Sequence, residues 1–104
     1  MEQAAFRALA DPTRRKILHL LMRRDMPIAE VAQSFDMTRA AVKKHLTVLK
    51  DGGFITVQAK GRERINKIEP AGFAPVRDWL SFFDQFWDDK LGNLQRVLNK
   101  GDGI

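Results

Sequence analysis

Apolar residues recur along the chain at helical spacing, interrupted once by a stretch of strand-like alternation. Phe6 and Leu9, three apart, predict a first helix over residues 2–9. Asp11-Pro12 then restarts the chain, because Asp is a good N-cap and Pro is preorganised for the first helical position. The helix that follows is expected to bury Ile17, Leu18, Leu21 and, at the margin of the stripe, Met22, and to stop near Arg23-Arg24. Met26-Pro27 opens a short third helix with Ile28, Val31, Ala32 and Phe35 on one face. After the tight link Asp36-Met37, Thr38 is placed to cap a fourth helix running to about Asp51, with Ala41, Val42, Leu46 and Leu49 as its buried stripe. Gly52-Gly53 supplies the backbone freedom needed to end it.

Two β-prone segments come next, Phe54–Ala59 and Glu63–Ile68, with Lys60-Gly61-Arg62 turning the chain between them. Pro70 closes the hairpin, and residues 70–74 fit a turn or a short helical piece. From Pro75 helical spacing returns: Trp79, Phe82, Phe83, Phe86, Trp87, Leu91, Leu94 and Leu98 predict a long helix over about 75–99, with a bend possible at Gly92 and fraying from Gly101. The expected fold class is mainly α with a small β-hairpin wing, in one domain spanning 1–104. The helix-turn-helix occupies about 27–51, the wing about 54–68 and the C-terminal dimerisation helix about 75–99.

Charge changes the picture from fold to partner. Residues 1–69 carry 14 basic and 8 acidic side chains, whereas residues 70–104 carry 4 and 5. The net charge of +5 is therefore regional, as a footprint for an anionic partner would be. Arg39, Lys43, Lys44, Lys50, Lys60, Arg62, Arg64 and Lys67 crowd 38–67 against only Asp51 and Glu63. A short helix bracing a basic helix, followed by a basic hairpin, suits double-stranded DNA. The major groove admits one α-helix, and a hairpin can reach the flanking backbone. Burying Val42, Leu46 and Leu49 leaves Arg39, Ala40, Lys43, Lys44 and Thr47 free on that helix. Thr38 and Arg39 stand at its N-terminal end, where the dipole favours phosphate.

Other chemistries lack parts. There is no cysteine, which removes disulfides, thiolate metal sites and Cys nucleophiles, and only His19 and His45 are present. No phosphate-cradling glycine loop or catalytic His–carboxylate spacing occurs, so an enzyme is not expected, and neither is a metal or other cofactor. Asp84 and Asp88, four apart, read as solvated acids. His19 reads as a partly exposed residue, and His45 as one that packs or hydrogen-bonds beneath its helix. Arg14-Arg15-Lys16 fits either a solvated helix face or DNA backbone contact. The start MEQAAFRALADPTRRK has no apolar core of signal length, and no segment is long enough to span a membrane, so a cytoplasmic protein is expected. A membrane-surface role is not expected either, because the polar side of the aromatic helix is acidic (Asp78, Asp84, Asp88, Asp89).

Five of the nine aromatic residues, Trp79, Phe82, Phe83, Phe86 and Trp87, fall within nine positions. So small a domain cannot easily bury a face that broad, which points to a dimer interface. The alternative to a DNA-binding dimer is a winged helix that serves only as a protein-interaction module.

LADPTRRKIL at 9–18, EVAQSFDMTRAAVKKHLTVLKDGGFI at 30–55, KGRER at 60–64 and the aromatic run FFDQFWDDKL resemble the ArsR family of winged-helix repressors across nearly the whole chain. The resemblance implies a homodimer packed through its first and last helices, repressing transcription at a palindromic operator. It implies DNA contacts at Thr38, Arg39, Ala41, Lys43 and Lys44 in the recognition helix and at Lys60, Arg62 and Arg64 on the wing. Phe6 joins the aromatic run in the implied interface. The family's metal sensors carry Cys-x-Cys where this chain has Pro27-Ile28-Ala29, and pair Asp with His on a last helix that has no His here. The chain therefore resembles the cysteine-less members, some of them self-regulating, and metal-released repression is not implied. No effector can be read from the residues.

Overall fold

The computed structural model describes residues 3–91. The expectations for Gly92, Leu94, Leu98 and the last residues lie outside them. Helices α1 (Gln3–Leu9) and α2 (Pro12–Arg23) lead into a short strand β1 (Met26–Pro27). Helices α3 (Ile28–Gln33) and α4 (Arg39–Asp51) follow, then β2 (Ile55–Lys60), β3 (Glu63–Ile68), a 3-10 turn over Pro70–Phe73, and α5 (Ala74–Ser81). Residues 84–91 are helical again.

Local chemistry sets most boundaries. Asp11 caps α2 by accepting from the Arg14 N–H at 3.0 Å, and Thr38 caps α4 by accepting from the Ala41 N–H at 3.1 Å. Helix α4 ends in a Schellman arrangement. The Gly53 N–H donates to the Lys50 carbonyl and the Phe54 N–H to that of Leu49, with Gly53 at φ +86°. Leu49 and Phe54 are both fully buried, which supplies the apolar contact this cap favours. The hairpin turns on Gly61 and Arg62. With Gly61 at φ +62° and no positive φ at Arg62, it has the form of a type II′ turn.

Ile17, Leu21, Val31, Val42, Leu46, Leu49, Phe54 and Ile55 form the centre of the core, closed on one side by Ala5 and Ala8 of α1. The face α1 buries is thus its alanine face, and Phe6 and Leu9 are half-buried at its edge. Met22 is 69% exposed, outside the buried stripe of α2.

Two further expectations are corrected. Met26-Pro27 does not begin a helix but pairs antiparallel with Asn66 and Ile65, so the sheet has three strands in the order β1-β3-β2. Asn66, nearly fully buried, secures the added strand by donating from Nδ2 to the Met26 carbonyl at 3.1 Å. The last helix is not continuous through the aromatic run but breaks at Phe82-Phe83. There the Ser81 hydroxyl donates to the Asp78 carbonyl at 2.7 Å, the group an α-helical Phe82 N–H would need. The Phe82 and Phe83 N–H groups bond instead to Trp79 and Leu80, three residues back.

The cap at Asp11 makes stability depend on acid. Its carboxyl is held below the usual value, chiefly by the Arg14 N–H, with His45 and Arg14 adding attraction against the opposing effect of desolvation. A depressed carboxyl stabilises the fold above its unfolded pKa and loses that contribution as pH falls through the folded value. Asp11→Ala is therefore expected to cost about 1 kcal/mol at neutral pH. Denaturant titrations should show this difference shrinking once the pH drops below the ordinary aspartate range, while a difference that persists there would place the effect elsewhere.

Candidate nucleic-acid interface

Helix α4 buries Val42, Leu46 and Leu49 against the core. The opposite side carries Arg39, Ala40, Lys43, Thr47 and Lys50, a stripe at successive helical turns. On the hairpin, residues alternate between faces. Ile55 and Val57 of β2 and Asn66 and Ile68 of β3 turn inward, and Arg64 extends that inward row towards the hairpin end.

The two rows meet across a groove of about 570 Å³ lined by Ile28, Leu46, Val57, Asn66 and the α4 stripe, with Arg64 on the wing side. Arg39, Lys43, Lys50 and Arg64 bring four cationic groups to this concavity, and no acid lines it. Ala40 lies between them without a long side chain to obstruct an approaching base edge.

Of the residues expected to meet DNA, Arg39, Lys43 and Arg64 thus share one groove. Lys44 is exposed on α4 but does not line it, and Lys60 and Arg62 are exposed at the hairpin end. Thr38 is engaged as the α4 cap, and Ala41 is half-buried. Ala40, Thr47, Lys50 and Asn66 complete the groove. Lys50 could have been found from sequence, since it continues the spacing Arg39, Lys43, Thr47.

Two residues of the basic cluster of α2 bond backbone of α1. Arg14 donates from Nε to the Ala8 carbonyl at 2.7 Å and from Nη2 to the Arg7 carbonyl at 2.9 Å. Arg15 donates from Nη1 to the Leu9 carbonyl at 2.7 Å. The two guanidinium groups thus bond three carbonyls at the end of α1, of which that of Arg7 also accepts from the Ala10 N–H. Arg14 Nη1 also donates to His45 Nδ1 at 3.4 Å. Arg24 pairs with Glu30, and His19 is exposed. Among the described residues, no cluster of three or more His, Asp or Glu could hold a metal ion, and no helix is long and apolar enough to cross a membrane.

Apolar side chains stand out on α1, α5 and residues 84–91. Phe6 of α1 packs edge-on against Trp79 of α5 with ring centroids 5.9 Å apart, and Trp79 packs likewise against Phe83 at 5.1 Å. Beyond these contacts Trp79 is 54%, Phe82 88%, Phe86 49% and Trp87 41% exposed.

A bracing helix, a cationic helix behind it and a basic hairpin at its side define a winged helix-turn-helix domain. Comparison with known proteins gives the same class. A helix-turn-helix domain family matches residues 9–58. The HTH-type transcriptional regulator Rv2034 of Mycobacterium tuberculosis is 35% identical over 99 residues, covering 94% of this chain and 90% of that protein. The transcriptional repressor SdpR of Bacillus subtilis is 40% identical over 86 residues, covering 83% and 96%. The crystal structure of the ArsR family transcriptional regulator RHA00566 superposes with a TM-score of 0.75 at 38% identity, over 83% of this chain and 94% of that one. The chain belongs to the ArsR family of winged helix-turn-helix transcriptional regulators, as a cysteine-less, DNA-binding member.

Proposed function

We propose that the protein is a homodimeric repressor that binds a palindromic operator, with α4 of each protomer in a major groove and each wing on the flanking backbone. The observation that carries this reading is the groove between α4 and the wing, where Arg39, Lys43, Lys50 and Arg64 converge without an acid. The similarity to a protein named as a transcriptional repressor supports the direction of regulation. A cytoplasmic location is the compartment in which such a regulator meets its DNA. Arg39, at the first turn of α4, is assigned to base edges, and Lys43, Lys50 and Arg64 to phosphates. Lys60 and Arg62 reach backbone further along the duplex.

Fluorescence-anisotropy titrations separate these roles. Arg39→Ala should lose about 1–3 kcal/mol on the selected operator and much less on random duplex. Lys43→Ala should weaken both alike and flatten the salt dependence. Equal losses on both duplexes for Arg39→Ala would contradict base reading by this side chain.

The dimer is assigned to the face formed by α1, α5 and residues 84–91, through Phe6, Trp79, Phe82, Phe83, Phe86 and Trp87. The exposed rings are its main support, since aromatic side chains left in water are costly and usually mark a contact. Two-fold pairing would set two recognition helices about 34 Å apart, one turn of DNA. Phe82 and Phe86 are too exposed to hold the protomer core together, so the pair Phe82→Glu, Phe86→Glu should leave folding intact and yield a monomer by light scattering. A dimer of unchanged mass would move the interface elsewhere.

A further inference from the structure

We infer that Arg14 and His45 are positioning residues for the recognition helix, tying α4 to α1 so that α1 sets the direction in which α4 projects. Helix α1 grips α4 at two separated points. At the far end of α4, Gly52 lies so close to α1 that a Cβ there would stand 3.1 Å from both the Ala4 carbonyl oxygen and the Ala8 Cβ. Near the middle, the Arg14 guanidinium bonds the Ala8 and Arg7 carbonyls through one edge and donates to His45 Nδ1 through its remaining Nη1. Two contacts along one helix fix its axis, where a single contact would allow it to pivot.

The chemistry of the second point is specific. His45 lies on the side of α4 turned away from the cationic groove, with its side chain only 19% exposed. Its Nδ1 accepts from the Arg14 guanidinium, and the Asp11 carboxylate stands 3.9 Å from the same nitrogen. Asp11 is itself held by the Arg14 N–H at the start of α2. One arginine therefore joins the end of α1, the start of α2 and the back of α4. A lysine could not replace it, since a point charge cannot serve three acceptors spread around a planar fork. This role rests on the reading of α4 as the DNA-contacting helix. Phe6 of α1 also packs on Trp79 of α5, so the same tie links the recognition helix to the aromatic face.

The test exploits a geometric distinction. Asn places an oxygen acceptor near the position of His Nδ1, whereas Leu keeps apolar bulk and is the better helix former but offers no acceptor. The variants His45→Leu and His45→Asn are compared with wild type for thermal stability and for affinity towards a duplex that wild type selects from a random-sequence pool. His45→Leu should bind that duplex about tenfold more weakly while melting no lower than His45→Asn, and His45→Asn should bind within about threefold of wild type. A role in helix stability alone predicts the reverse order. Arg14→Lys should reproduce the His45→Leu loss, and the double variant should add nothing to it. Wild-type affinity in His45→Leu, equal weakness in His45→Asn, or additive losses in the double variant would overturn the assignment. Wild-type protein that selects no duplex would instead overturn the DNA reading beneath it.

Discussion

Gly72→Ala should cost about 3 kcal/mol or more and lower the melting temperature by roughly 12 °C or more, the largest effect expected of a Gly→Ala change among the described residues. A Cβ at residue 72 would lie 1.7 Å from the Gly53 carbonyl oxygen and 2.5 Å from its carbon. Both are backbone atoms, so no rotamer change can relieve the clash. Gly53 cannot move away easily, because its positive φ and its bond to Lys50 form the cap of α4. On the other side, Gly72 donates to the Glu69 carbonyl, and the Glu69 N–H in turn donates to Phe54. Phe54 and Phe73 then stack edge to face at 4.7 Å. The two glycines thus fasten the end of the recognition helix to the start of α5. Gly53→Ala should cost less, about 1 kcal/mol, since it strains only the left-handed backbone and has no neighbour closer than 3.9 Å. Chemical denaturation of the two variants checks the order, and a mild Gly72→Ala would show that the 70–73 turn can peel from α4 at little cost.

The second large effect concerns DNA. Removing Lys43, Lys50 and Arg64 together takes three cations from each groove, and six from a dimer with two grooves in use. If all six meet phosphates, the slope of log affinity against log salt should fall by about five, and binding at physiological salt should weaken on the order of a thousandfold. All three side chains are exposed, so stability should change little. Titrations at several salt concentrations test this directly, and a slope equal to that of wild type would remove the groove from the phosphate contact surface.

What could be read before the structure was largely local. Asp11, Thr38, Gly52-Gly53 and Lys60-Gly61-Arg62 announce caps and a turn through chemistry carried within a few residues, and each forms as expected apart from the exact strand ends. The break at Phe82-Phe83 was hidden because the aromatic spacing runs through it unchanged. At the break one serine hydroxyl takes one carbonyl, a contact that the apolar spacing does not record. Strand β1 was hidden because two residues carry no periodicity and one of them is proline. Its partners on β3, Asn66 and Ile65, lie about forty positions away.

The candidate site divides in the same way. The cationic stripe of α4 follows from which residues are left over once Val42, Leu46 and Leu49 are buried, so Arg39 and Lys43 were legible, and Lys50 could have been. That Arg64 rather than Lys60 or Arg62 faces the groove depends on the register of the hairpin, which sets which residues of β3 point inward. Within the resembling stretch at 9–18, Asp11 caps α2 and Arg14 and Arg15 bond backbone carbonyls of α1. The role of these arginines becomes visible only when the end of α1 is seen beside them.

Two copies of the groove between α4 and the wing are expected to read DNA sequence together. Selection from a random-sequence duplex pool by the purified full-length protein, followed by sequencing of the retained DNA, tests it most directly. The expected result is enrichment of an inverted repeat whose half-sites are centred about one helical turn apart, lost when Arg39 is replaced by Ala. A retained pool as random as the input would contradict it.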